Sequence, residues 1–302
     1  MLEITNLTIE IKENKQSYKV ISDISLNVEE NQSLGLVGES GCGKSMTASA
    51  IMGLLGKNKK ITAGSIYLDD IDLTKYSEKE YEEIRGTKIS MIFQDSMASL
   101  NPLMKIGKQI EEAYKIHYRL TKDELRHKVR NSLVDVGFKN TPNTINNIDS
   151  IINKYPHNLS GGQRQRVMIA MAIACSPKYL IADEPTTALD VTTQNKILKL
   201  IKNIQAKNNM GIIFISHDIT VINNVCTHIG VMYAGKIVEY GKVHDIIKDP
   251  KHPYTKALIQ SIPNTSNKNN PLTTINGFVP ELGERNDNEC IFYDRCDYRT
   301  NK

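Results

Sequence analysis

Apolar and polar residues alternate along the first 34 positions. Leu2, Ile4, Leu7, Ile9 and Ile11, then Val20, Ile24, Leu26 and Val28, are the apolar positions, which predicts strands of an antiparallel sheet leading into the run at 33–37. The pattern then changes in kind. Ser33-Leu34-Gly35-Leu36-Val37 is a short run of buried-strand character, and residues 46–55 have the composition of a helix. A further strand is predicted at 64–68 after a Lys-rich turn, a charged helix at 77–84 and a buried strand at 89–93.

From about residue 96 to 158 the periodicity becomes helical, around 106–116 and again over 123–136, with the polar, Asn-rich stretch 140–153 behind it. This reads as a helical subdomain inserted into an α/β chain. Strands then resume as the continuous apolar runs 179–182 and 211–215, the mark of parallel strands covered on both faces, with a helix predicted between them over 194–206. Runs 229–233 and 236–240, joined by Ala234-Gly235, predict a hairpin. After Asp249-Pro250 regular patterning fades, apart from a short helix at 255–261, and 264–271 is rich in Asn, Ser, Pro and Lys, as a linker would be. The expected organisation is therefore an α/β core with a mostly parallel sheet and an N-terminal antiparallel β subdomain over residues 1–250, followed by an extension over 251–302.

Composition narrows this picture only a little. Of 302 residues, 40% are hydrophobic and 24% charged, as in a globular protein. The net charge of +4 is spread along the chain and makes no case for nucleic acid. Cys42, Cys175, Cys226, Cys290 and Cys296 are too scattered for a disulfide framework. No apolar run approaches the roughly 20 residues that span a bilayer, and no secretory signal opens the chain, so a cytoplasmic address is expected.

The chemistry starts at Gly38-Glu39-Ser40-Gly41-Cys42-Gly43-Lys44-Ser45, between a strand and a helix. Glycines let backbone N–H groups close around a phosphate, and a helix N-terminus adds unpaired donors and a positive dipole end. Lys44 would reach the β- and γ-phosphates and the Ser45 hydroxyl would ligate Mg²⁺. Asp183-Glu184 follows directly on the apolar strand 179–182, where Asp183 is placed to hold Mg²⁺ and Glu184 to polarise an attacking water. His217-Asp218 and Gln94 close two more strands, at the edge where parallel strands present their ligand crevice. Gln94 there could bind water or metal at the γ-phosphate. In Leu159-Ser160-Gly161-Gly162-Gln163, Ser160 is a candidate N-cap for the helical run that follows, and the glycines expose N–H groups at a second anion site.

Taken in order, residues 38–45, Gln94, Leu159 to Gln163, Asp183-Glu184, Ala188-Leu189-Asp190 and His217 resemble the six motifs of the ATP-binding subunits of ABC transporters. The resemblance covers nearly the whole chain. It implies a P-loop ATPase, binding ATP and Mg²⁺, that works as a head-to-tail dimer. The Walker A loop 38–45 with the adjoining Met46 would bind nucleotide on one subunit, and Ser160, Gly161, Gly162 and Gln163 of the other would close over it. It also implies that Asp183 is the Walker B carboxylate, Glu184 the general base, Gln94 the Q-loop glutamine, Asp190 the D-loop aspartate and His217 the switch histidine; Ser45, Gln94 and Asp183 are the expected Mg²⁺ ligands. Cys42 stands where a small hydroxyl residue is more usual. Tyr18 is the nearest candidate to stack on adenine.

A narrower likeness lies in 91–102, in His252-Pro253-Tyr254-Thr255-Lys256-Ala257-Leu258 with Ser261-Ile262-Pro263, and in the tail from Gly277 to Cys296. These segments resemble the oligopeptide, dipeptide and nickel importers, although Ser96 stands where proline is frequent. This implies an ATP-hydrolysing importer subunit for peptides, with nickel or a metal chelate as the alternative cargo and a soluble ATPase uncoupled from transport as a remote one. The implied partners are a second ATP-binding subunit, identical or similar, two transmembrane permease subunits and an external substrate-binding protein, with no nucleic acid. The implied location is the cytoplasmic face of the cell membrane, as a peripheral subunit. Some relatives hold an iron–sulfur cluster in this tail. Four thiolates are the usual ligand set, and Cys290 with Cys296 supplies two, so no cluster is expected from this chain alone.

Overall fold

The computed structural model describes residues 1–139, 147–187, 189–261, 275–285 and 289–300. They form two compact units, Met1–Tyr76 with Ile213–Lys302, and Ser77–Ile212.

The first unit opens with the hairpin β1 (Leu2–Glu13) and β2 (Gln16–Val28). Its buried positions switch from Leu2 and Ile4 to Leu7, Ile9 and Ile11, that is, from even to odd numbers. In a strand of strict period two such a switch would turn the second half away from the core. A register shift between Ile4 and Leu7 absorbs it, with Asn6 at φ 49° and its backbone N–H donating to Ser25 Oγ at 2.9 Å. Next come β3 (Ser33–Val37), α1 (Lys44–Ile51), β4 (Lys59–Leu68) and the short β5 (Ile71–Asp72). The sheet order β2-β1-β4-β5 makes β1 a central strand.

Two expectations are corrected in this stretch. The Lys-rich turn is part of β4, where Lys60 pairs with Glu10 and Lys59 with Ile11. Helix α1 stops at Ile51, not at residue 55. Gly53, at φ 64°, donates to Ala50 O at 3.1 Å and Leu54 to Ser49 O at 2.8 Å, the double bond of a Schellman stop.

The second unit contains α2 (Glu78–Ile84), β6 (Ile89–Ile92), α3 (Ser96–Ser99), α4 (Ile106–Lys115), α5 (Lys122–Asp135), α6 (Ile148–Asn153), α7 (Gly161–Ile173), β7 (Tyr179–Asp183) and α8 (Val191–Asn208). Strands β6 and β7 pair in parallel, Ile89 with Tyr179 through Ile92 with Ala182. The expected helical segment is present. Ile106, Ile110, Leu133, Ile148 and Ile151 are fully or nearly fully buried, and Tyr114 Oη meets Ser132 Oγ at 2.7 Å. Helix α6 corrects the reading of 140–153 as polar throughout, because Asn147 caps it and Ile148 and Ile151 anchor it in the core; residues 140–146 lie outside the described residues. Helix α8 is longer than predicted at both ends.

Strand β8 (Gly211–Ser216) leads back into the first unit, to α9 (Ile219–Val225), β9 (His228–Tyr233), β10 (Lys236–Lys242), α10 (Val243–Lys248) and α11 (Pro253–Gln260). Here the strand order is β10-β9-β3-β8. Strand β3 pairs in parallel with β9, Leu34 with His228 through Val37 with Val231, and all five residues of β3 are buried, as a central parallel strand requires. The predicted hairpin turns at Ala234 (φ 46°) and Gly235 (φ 89°), two left-handed residues as in a type I′ turn. The expected linker 264–271 lies outside the described residues. Among the described residues no helix is long and apolar enough to cross a membrane.

Candidate functional site

Buried β3 ends at Val37 and α1 begins at Lys44, so residues 38–43 form the turn between them. A Cβ on Gly38 would lie 2.1 Å from the carbonyl oxygen of Met232 in β9, a backbone atom that a side chain cannot push aside. Gly38→Ala is expected to lower thermal stability by about 1–3 kcal/mol and to weaken nucleotide binding with it. A thermal melt and a nucleotide titration check this, and an unchanged melt would contradict the packing.

Lys44 is 6% exposed. Its ammonium donates to Gly38 O at 2.7 Å, to Glu39 O at 3.0 Å and to Cys42 Sγ at 3.5 Å. All three acceptors belong to its own loop, and no carboxylate lies within ion-pair distance of it among the described residues. A buried cation satisfied by two carbonyls and a thiol lacks a counter-charge, so the donor set of this loop fits an anion such as a phosphate. The Cys42 side chain is fully buried, and burial pushes its thiol pKa up against the opposing pull of Lys44. His217 follows β8 and is exposed, while its neighbour Asp218 caps α9, accepting from Thr220 N at 2.8 Å.

In the second unit Asp183 is the last residue of β7 and is 4% exposed. Glu184 comes next, half-buried, in the left-handed region at φ 45°. A non-glycine residue held there costs of order 1–3 kcal/mol and persists where its surroundings fix it. Here Gln94 Nε2 donates to Glu184 Oε2 at 3.2 Å and Thr187 Oγ1 donates to the same oxygen at 3.0 Å. The structure thus brings Gln94 and Glu184 together from residues 90 apart. Nothing in the sequence marks Thr187, since a Thr three residues after Glu184 carries no signal of its own.

Ser160 caps α7 as expected. Its Oγ accepts from Gln163 N at 3.3 Å, and Gln163 Oε1 accepts from Ser160 N at 3.1 Å, a reciprocal capping box. Gly162 has a packing reason of its own, since a Cβ there would stand 2.7 Å from Thr193 Cγ2 of α8. Asp190 is the N-cap of α8, accepting from Thr193 N at 2.9 Å, and that backbone bond holds its carboxyl below the ordinary range. Ala188 lies outside the described residues.

Sequence reasoning missed a cluster around Glu39. The Arg295 guanidinium reaches both carboxylate oxygens of Glu39, at 2.8 and 3.1 Å, and the Glu39 N–H donates to Tyr254 Oη at 2.9 Å. The residues involved are up to 256 positions apart, and although each lies in a segment singled out in the sequence, no local pattern marks their contact. Tyr18, the adenine candidate, pairs with Ile11 across the first hairpin and lines a cavity of about 230 Å³ with Ser22, Lys236, Leu282 and Arg285.

The family model "ABC transporter" matches residues 21–187, and "Oligopeptide/dipeptide transporter, C-terminal region" matches 238–302. The oligopeptide transport ATP-binding protein AppD of Bacillus subtilis is 43% identical over 281 residues, 93% of this chain and 84% of its own length. The dipeptide transport ATP-binding protein DppD of Haemophilus influenzae is 43% identical over 300 residues, 99% of this chain and 88% of its own. Among solved structures, the ATP-binding cassette MJ0796, described as a dimer in a post-hydrolysis state bound to ADP and Pi, superposes with a TM-score of 0.70 at 29% identity, covering 80% of this chain and 99% of that one. CbiO1 of Clostridium perfringens, part of an ABC transporter complex, gives 0.68 at 26% identity over 82% and 90%. With its phosphate-type loop, its strand-end carboxylates and a fold shared with ATP-binding cassettes, this chain belongs to the ABC transporter family.

Proposed function

We propose that this chain is the ATP-hydrolysing subunit of an ABC importer for peptides. The observation that carries the cargo class is the match of residues 238–302 to the C-terminal region of oligopeptide and dipeptide transporters, on a chain whose relatives are named for peptide transport along nearly their full length. The same names favour peptide over nickel or a metal chelate.

In this reading the loop 38–45 takes the phosphates of ATP, with Lys44 supplying the positive charge that its own surroundings do not balance. Tyr18 and its cavity are the proposed seat of the base. The Ser45 hydroxyl, the Asp183 carboxylate and the Gln94 amide are hard oxygen donors that would hold Mg²⁺, which when bound neutralises charge on the β- and γ-phosphate oxygens. Glu184 orients the attacking water and takes its proton, its carboxylate steadied by Gln94 and Thr187. His217 contacts the γ-phosphate. Ser160, Gly161, Gly162 and Gln163 of a second subunit, with Asp190 at the dimer contact, close the site, a reading supported by the dimeric, nucleotide-bound cassette among the structural relatives. The chain works as a peripheral subunit on the cytoplasmic face of the membrane, with two permease subunits and an external binding protein.

Co-expression with the permeases and reconstitution in proteoliposomes tests the proposal. Uptake of a labelled di- or oligopeptide that depends on ATP and on the binding protein is expected. Uptake of nickel without peptide would overturn the cargo, and ATPase activity indifferent to the permeases would overturn the coupling.

A further inference from the structure

The P-loop contains an acidic residue, Glu39, in a turn read above as the seat of a triphosphate. A carboxylate there opposes the binding of an anion unless its charge is balanced. Arg295, from the C-terminal segment, balances it with two hydrogen bonds of 2.8 and 3.1 Å in a fork-to-fork pair. The Arg295 side chain is 6% exposed and that of Glu39 27%, so solvent screens the pair only in part.

The seat of Arg295 is built rather than incidental. Its Nε donates to Asn276 O at 2.8 Å, one terminal nitrogen to Tyr233 Oη at 3.3 Å and the other to Ile275 O at 3.3 Å. The guanidinium carbon stands 5.6 Å from the Tyr233 ring centre and 5.9 Å from that of Phe292. Phe292, 3% exposed, in turn packs edge-on against Tyr233 at 5.1 Å and against Tyr254 at 5.5 Å. Burial works against the charge on Arg295, but its bonds to Glu39 and Tyr233 outweigh that and keep the guanidinium protonated.

Glu39 is thereby tied at three points. Its carboxylate goes to Arg295, its N–H to Tyr254 Oη, and its carbonyl accepts from Lys44 Nζ at 3.0 Å. The last tie connects the tail to the cation that meets the phosphates.

We infer that Arg295 is a positioning residue for nucleotide binding: by neutralising Glu39 and fixing it in the P-loop, the C-terminal segment sets the affinity of the loop for a nucleoside triphosphate. The inference rests on the reading of residues 38–45 as the triphosphate loop.

The test compares signs. A purely structural staple would be weakened by removing either partner, whereas charge compensation predicts opposite effects. In the full-length protein, Arg295→Met is expected to weaken Mg-ATP binding about tenfold, the scale of one uncompensated charge about 12 Å from the phosphates at an effective dielectric constant of about 20. Glu39→Gln is expected to bind at least as tightly as the wild type, and the double variant Glu39→Gln/Arg295→Met to recover most of the lost affinity. Isothermal titration with Mg-ATP, with a thermal melt of each variant, reads these outcomes. Wild-type affinity in Arg295→Met, or equal weakening in both single variants, would overturn the inference. If Arg295→Met does not fold, Glu39→Gln decides alone, with weakened binding counting against. A Lys44→Ala variant run alongside separates the two levels: undiminished binding there would instead refute the triphosphate loop itself.

Discussion

Glu184→Gln is expected to bind ATP as tightly as the wild type and to lose hydrolysis by about 10²–10⁴-fold in kcat, the range general-base catalysis contributes. The structure makes this substitution unusually clean. Gln94 Nε2 and Thr187 Oγ1 both donate to Glu184 Oε2, at 3.2 and 3.0 Å. A glutamine presents a carbonyl oxygen in that position, so both bonds persist and the strained backbone at φ 45° keeps its support. What is lost is the basic oxygen. Because the ground-state contacts stay, KM should change little while kcat falls, the pattern of an interaction made in the transition state. The variant should therefore accumulate as an ATP-bound dimer, visible by size-exclusion chromatography with Mg-ATP. Turnover within a few-fold of the wild type would remove Glu184 from the role of base. Glu184→Ala is the contrasting case, since it also strips Gln94 and Thr187 of their shared acceptor and should weaken the local fold as well as the chemistry.

The features legible in the sequence are those whose physics is local. The strand, turn and helix around 38–45 were readable because glycine spacing and flanking apolar runs carry the information within 20 residues. The Ser160 cap and the Ala234-Gly235 turn were readable for the same reason. Errors arose where tertiary packing overrode composition. Lys59 and Lys60 look like a turn, yet β1 pairs with them as a strand. The helix at 148–153 sits in an Asn-rich context but is held by two buried isoleucines. The β1 alternation contains a slip that only the irregularity at Asn6 makes sense of. In the site, Glu39 and Arg295 each lie in a recognisable segment, but nothing local pairs them, since a single arginine in an irregular polar tail has no period and its partner lies 256 residues away.

The same split between local and distant physics separates the two halves of the proposed catalysis. In the first unit Lys44 is held locally, by the carbonyls of residues five and six positions before it. Glu184 in the second unit depends on Gln94 at the end of a different strand. Substitutions in the loop should therefore report on binding, and substitutions at Glu184 or its supports on turnover.

Lys44→Ala is the sharpest test of that division. Lys44 is 6% exposed and its ammonium donates to Gly38 O and Glu39 O. Its removal subtracts the positive charge proposed to attract the phosphates, and it leaves the Gly38 and Glu39 carbonyls of the loop without that donor. Truncating one partner of a buried charged pair costs about 2–5 kcal/mol, which corresponds to a Kd for ATP raised by about 30- to 5000-fold. Lys44→Arg should not rescue it, because the wider guanidinium cannot occupy the same position between two carbonyls of one tight turn. The signature is opposite to that of Glu184→Gln: binding is lost first, and hydrolysis at saturating ATP less severely than at low ATP. Equilibrium binding of a fluorescent ATP analogue, measured with and without Mg²⁺, checks it. Near wild-type affinity in Lys44→Ala would refute the reading of residues 38–45 as the triphosphate loop, and the buried ammonium would then need another explanation.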